Sequence, residues 1–109
     1  MTTLHGLKNC DTCRKADRLL REAGEDVTFR DVRAEPLSKG EIGIFLEVFG
    51  EDLLNRRSTT WRNLSDAARS KDAEALFMEH PALMKRPVIE KEKKFSIGWS
   101  AEVQNRYLG

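Results

Sequence analysis

The chain has 109 residues, 34% of them charged, and its 19 basic and 18 acidic side chains leave a formal charge of +1. That length fits one domain, residues 1–109, and the near-balance of charge removes any general demand for nucleic acid or an anionic membrane surface. No apolar run approaches the ~20 residues of a membrane span, and the N-terminus lacks the charged-then-apolar pattern of a signal peptide, so a cytoplasmic protein is expected.

Thr2 to His5 alternate as a short strand and Gly6 breaks the run. Ala16, Leu19, Leu20 and Ala23 then recur at helical spacing until Gly24 supplies a stop. Val27 to Val32 reads as a second strand, giving β-α-β with parallel pairing. After Pro36, Ser38 and Glu41 form a capping-box pattern, and Ile42, Phe45, Leu46 and Phe49 predict a helix over 39–49 despite Gly40 and Gly43. Short helical segments follow around 64–70 and 72–80. Val88 to Glu90 and Phe95 to Ile97 alternate around a charged Lys91 to Lys94 turn, which predicts a hairpin, and Ser100 starts a last helix running to about Tyr107. The order β-α-β, helical insertion at about 38–80, then β-β-α predicts an α/β fold of thioredoxin-like, glutaredoxin-type layout: a small mixed sheet flanked by helices.

Both cysteines, Cys10 and Cys13, fall in one C-x-x-C at the strand-to-helix junction. There Cys10 faces the unsatisfied N–H groups of the first helical turn, whose partial positive charge favours a thiolate. Lys8, Arg14 and Lys15 add positive potential and Asp11 opposes it, so the expected pKa shift is downward. Cys13 lies on the same face of the turn, within disulfide reach, and can resolve a mixed disulfide formed on Cys10. Zinc would need two further ligands, and His5 and His80 give neither finger nor ribbon spacing, so no metal is expected. A pair of inert core thiols is the bland alternative.

Three more features carry charge or polarity. Arg56, Arg57 and Arg62 surround Trp61, either as an anion- or partner-binding patch or as a solvated basic face with Trp61 packed beneath it, and Arg57 is the candidate binding residue. Asn9 and Thr12 border Cys10 and bring donors for a thiolate or an incoming oxygen. His80 reads as a helix-end histidine.

Three motifs span most of the chain: Lys8-Asn9-Cys10-Asp11-Thr12, Leu53 to Leu64 (LLNRRSTTWRNL) and Glu79 to Pro87 (EHPALMKRP). With them the chain resembles the arsenate reductase-like family of thioredoxin-fold proteins, which includes ArsC enzymes, Spx transcriptional regulators and YffB-type proteins. The middle segment is most similar to the YffB group, and the C-x-x-C and Glu35-Pro36-Leu37-Ser38 are more similar to Spx. The resemblance implies that Cys10 is the nucleophile, that the Arg86–Pro87 bond is cis and lies close to it, and that Arg86 holds an oxyanion or a glutathione carboxylate. Departures from the arsenate reductases are also visible. Their active-site histidine aligns with Gly6, and two of their three oxyanion-binding arginines align with Asn55 and Gly98, Arg86 being the one clear match.

The expected function is a cytosolic thiol oxidoreductase with Cys10 as attacking thiolate and Cys13 or glutathione resolving the intermediate. No bound cofactor is expected, glutathione acting as co-substrate; the partners are a small oxidant or protein disulfide and glutaredoxin, with neither membrane nor direct nucleic-acid binding. Two alternatives remain: a glutathione- and glutaredoxin-coupled arsenate reductase, and an Spx-like redox switch that binds the α-subunit of RNA polymerase.

Overall fold

A computed structural model describes residues 1–109 and divides into two compact units, Met1–Val32 with Arg86–Gly109, and Arg33–Lys85. The first unit is built on a four-stranded sheet in the order β2-β1-β3-β4: β1 (Thr2–Gly6), β2 (Val27–Asp31), β3 (Val88–Lys91) and β4 (Lys94–Ile97). β1 pairs parallel with β2, Leu4 opposite Phe29, and antiparallel with β3, Leu4 opposite Ile89. One parallel and two antiparallel pairings make the mixed sheet that the element order predicts.

Alternation along β1 sorts its side chains between the two faces. Leu4, Val27 and Ile89 share one core cluster with Cys13, Ala16 and Leu20 of α1 (Asp11–Glu22) and Val103 of α6 (Ala101–Leu108). Leu4, Leu20 and Ile89 are each 0% exposed, and burying such a side chain contributes roughly 1.5–3 kcal/mol. Ala16 and Leu20 are buried as expected, but the buried stripe of α1 begins a turn earlier, at Cys13, while Leu19 is half-buried and Ala23 is exposed as the C-cap. Gly24 at φ +91° supplies the left-handed residue that ends the helix. Across the sheet, Glu25 binds Lys91 at 2.6 Å and accepts from Thr2 Oγ1 at 3.1 Å, tying the strand ends together.

Lys91 pairs with Lys94, so the hairpin turns through Glu92 and Lys93, at φ 52° and 65°. Positive φ at both central residues is the backbone that Asn-Gly adopts and that long side chains resist. Replacing Glu92-Lys93 with Asn-Gly is therefore expected to stabilise the protein by about 1–2 kcal/mol, read as a higher urea midpoint at unchanged slope. An unchanged midpoint would show that the turn carries no such cost.

In the second unit α2 (Lys39–Phe49) begins with the expected capping box: Glu41 N–H donates to Ser38 Oγ at 3.1 Å and Ser38 N–H to Glu41 Oε1 at 3.0 Å. It buries Ile42 and Phe45 and packs against α5 (Ala73–Glu79), which buries Leu76 and Phe77. Between them run α3 (Thr59–Asn63) and α4 (Asp66–Arg69), capped by Ser58 and Ser65. The segments expected over 64–70 and 72–80 are thus shorter, and α3 is an element the periodicity did not predict. Asn55 N–H donates to Leu83 O and Lys85 N–H to Leu53 O, both at 2.8 Å, closing the unit around Leu53, Leu83 and Met84. No helix is long and apolar enough to cross a membrane.

Candidate functional site

The end of β1 and the start of α1 define the site. Lys8 N–H donates to Asp31 Oδ2 at 3.1 Å and Cys10 N–H to Leu7 O at 3.1 Å, which fixes the loop and delivers Cys10 as the N-cap of α1 at φ −96°, ψ 118°. Cys10 is half-buried and Cys13, in the first turn, is wholly buried; both are free thiols.

The two sulfurs have opposite electrostatic environments. Partial burial acts to raise the Cys10 pKa, but the Cys13 amide, the Cys13 thiol and the Arg86 guanidinium outweigh it, and the net shift is below the ordinary thiol value. Cys10 makes no conventional side-chain cap hydrogen bond of the kind a serine oxygen makes; the Cys13 N–H nevertheless acts on its sulfur and favours the anion. Cys13 moves the other way. Burial first, and then the neighbouring Cys10 sulfur, push it up to about 12. Cys10 is therefore the sulfur that ionises first, while Cys13 keeps its proton and donates it to Cys10.

Arg86 is the cation with which the structure replaces those expected from local sequence. Arg14 is paired with Asp11 on the helix surface, and Lys8 and Lys15 are exposed. The Arg86–Pro87 bond is cis, Pro87 is fully buried, and Gly98 N–H donates to Pro87 O at 2.9 Å, anchoring this turn to the end of β4. Chain elements far apart in sequence thus bring Arg86 to Cys10. Asn9 and Thr12 flank the cysteine and are both exposed. Arg57 lies in the Arg33–Lys85 unit, exposed, its N–H donating to Asn55 Oδ1 at 3.1 Å. His80 caps α5 beside Glu79 (3.8 Å), as a helix-end histidine.

One determinant was missed by sequence reasoning. A Cβ built on Gly6 would lie 2.6 Å from Cys13 Sγ and 3.1 Å from Cys13 Cβ, so position 6 has no room for a side chain while Cys13 is present. His5, on the other sheet face, is 3% exposed with Nε2 3.5 Å from Glu90. The readable signal was a glycine ending a strand four residues before the cysteine, which marks a close approach.

Comparison with known proteins agrees with this geometry. A model of the ArsC family matches residues 5–106. An uncharacterised protein of Haemophilus influenzae is 36% identical over 105 residues, 92% of each chain. The global transcriptional regulator Spx of Bacillus subtilis is 32% identical over 114 aligned positions, covering 99% of this chain and 87% of the relative. Among solved structures, the YFFB protein superposes with a TM-score of 0.89 at 29% identity over 100% of both chains. An arsenate reductase-related protein from Brucella melitensis reaches 0.76 at 38% identity, over 97% of this chain and 92% of that one. With the sheet, the paired cysteines and the cis-proline turn of a thioredoxin-like fold in place, the chain belongs to the ArsC family.

Proposed function

We propose that this protein is a cytoplasmic thiol oxidoreductase in which Cys10 is the nucleophile. The observation that carries this reading is the half-exposed Cys10 sulfur at the mouth of α1, with its pKa lowered by the Cys13 amide, the Cys13 thiol and Arg86 against the opposing effect of burial. The Cys10 thiolate attacks one sulfur of a disulfide, a new S–S bond forms and the other sulfur leaves as a thiolate; with a sulfenic acid the S–O bond breaks instead and hydroxide leaves, protonated to water. Arg86, held beside the cis-proline, takes a carboxylate or oxyanion of the incoming molecule, assisted by Asn9 and Thr12.

Two routes close the cycle. Cys13 loses its proton and attacks the Cys10 sulfur, expelling the substrate thiolate and leaving a Cys10–Cys13 disulfide that two glutathione molecules reduce. Alternatively glutathione attacks the mixed disulfide directly. Two contributions to the high Cys13 pKa come from the Cys10 sulfur and vanish once that sulfur is bonded, while the contribution of burial stays. Resolution by Cys13 therefore accelerates as pH rises, and glutathione competes best near neutrality. Cys13→Ser is expected to accumulate mixed disulfides on Cys10 when glutathione is absent and to release them when it is added, read by intact-mass spectrometry. Adducts that form equally on Cys10→Ser would sink the assignment.

Arsenate is disfavoured as the substrate. Gly6 has no space for the histidine those enzymes use, and Gly98, aligned with one of their arginines, sits at φ +78°, where a side chain is strained. The extent of similarity to Spx supports a second reading, in which the same thiol pair gates binding to the α-subunit of RNA polymerase. A pull-down with the C-terminal domain of that α-subunit, using oxidised and reduced protein, separates them: redox-dependent capture without disulfide turnover favours the switch.

A further inference from the structure

The Arg33–Lys85 unit holds a cavity of about 340 Å³ that the thiol chemistry does not use. Its floor is apolar, formed by Leu46 of α2, Leu54, and Leu76 and Phe77 of α5. Trp61 of α3 makes a wall, with Arg69 Cζ 5.2 Å and Arg56 Cζ 6.0 Å from its ring centroid.

The cations around this cavity are not equivalent. Arg69 is engaged by the end of α3: its Nε and Nη2 donate to Trp61 O at 3.1 and 3.0 Å, and Nη2 to Arg62 O at 3.2 Å. Lys71 is held by both carboxylate oxygens of Glu79, at 3.1 and 3.0 Å. Arg56 is exposed, lies over the Trp61 ring and has no carboxylate paired to it. It belongs to Asn55–Asn63, a stretch with three arginines and no acid. An apolar hole with one uncommitted guanidinium at its rim selects a molecule that is apolar at one end and anionic at the other.

We propose that this cavity binds a small amphiphilic carboxylate, its aromatic or branched aliphatic body on the leucine and phenylalanine floor against Trp61 and its carboxylate on Arg56. Ligand sites span ~300–1,000 Å³, so the volume suits a single ring system rather than a nucleotide. Glu51, also at the rim, repels the anion and turns it toward Arg56. The site stands in its own unit and does not depend on Cys10 being reactive.

The test uses β-naphthoate as probe, titrated into the full chain and followed by calorimetry and by the indole N–H signal of Trp61. Saturable binding that moves this signal is expected, with naphthylmethanol (ring without charge) and acetate (charge without ring) each about tenfold weaker or worse. Arg56→Ala is expected to weaken naphthoate about tenfold while leaving naphthylmethanol unchanged, and Glu51→Gln to tighten naphthoate. Both residues are exposed, and circular dichroism checks that the variants keep the fold. Absence of saturation up to the solubility limit, an Arg56→Ala variant that binds like wild type, or equal affinity for the neutral alcohol would each overturn the proposal.

Discussion

Alkylation of Cys10 by iodoacetamide is expected to show a midpoint below the ordinary thiol value of about 8.5, and Arg86→Ala is expected to move that midpoint upward. Partial burial raises the cost of the Cys10 charge, so the downward shift depends on the groups that offset it, of which Arg86 is the one whose side chain is removable without touching α1. The two arms of the pH profile carry different information. Below the midpoint the variant reacts more slowly because less thiolate is present. Well above it Cys10 is ionised in wild type and variant alike, and the variant reacts at least as fast, since a thiolate of higher pKa is the better nucleophile. A merely misfolded variant would give no such crossover. With an anionic oxidant such as oxidised glutathione the loss at neutral pH is expected to reach roughly ten- to a hundredfold, because Arg86 then acts on the substrate charge as well as on the sulfur. Arg86→Lys restores the charge without the bidentate fork and is expected to recover the midpoint more fully than the exchange rate. Superimposable profiles for wild type and Arg86→Ala would remove the arginine from the site. Cys13 adds its own pH dependence with the opposite sign. Its folded pKa lies above its unfolded one, so its contribution to stability is complete below the ordinary thiol range and is lost as pH rises toward about 12.

What could be read from the chain and what could not follow from the range of the interactions. The capping box of Ser38 and Glu41, the hairpin from Val88 to Ile97 and the N-cap placement of Cys10 depend on residues a few positions apart, and each has the expected form. α3 was missed because Thr59, Thr60 and Trp61 are poor helix formers in isolation; Ser58 accepting from Trp61 N–H at 3.1 Å, and Arg69 holding the last carbonyls, supply what propensity lacks. The charge on Cys10 was misassigned for a related reason. Counting neighbours in sequence gave Lys8, Arg14 and Lys15, whereas Arg86 arrives through the cis-proline turn, and only the family resemblance pointed to it. The burial of Cys13 was invisible because it depends on β1 passing directly over the first turn of α1.

That crossing gives Gly6→Ala a large expected effect on stability for the addition of a single methyl group. The added Cβ would meet Cys13 Sγ at 2.6 Å, Cys13 Cβ at 3.1 Å and Leu4 Cδ2 at 3.2 Å. Neither neighbour has anywhere to go, since Cys13 and Leu4 are both 0% exposed. Overpacking of this kind costs about 1–3 kcal/mol, partly offset by the gain of roughly 0.5–1 kcal/mol from replacing glycine in a strand. Cys13→Ala on its own removes the sulfur and leaves a small void, at a cost of about 1 kcal/mol. Combining the two should fill the void with the new methyl group, so the double variant is expected to be more stable than the sum of the singles by about 1–2 kcal/mol, measured by urea denaturation of all four proteins. Strict additivity would mean that β1 or α1 shifts to accept the methyl group and that the contact does not constrain the site. A positive coupling would mean that the second cysteine and a side chain at position 6 exclude one another.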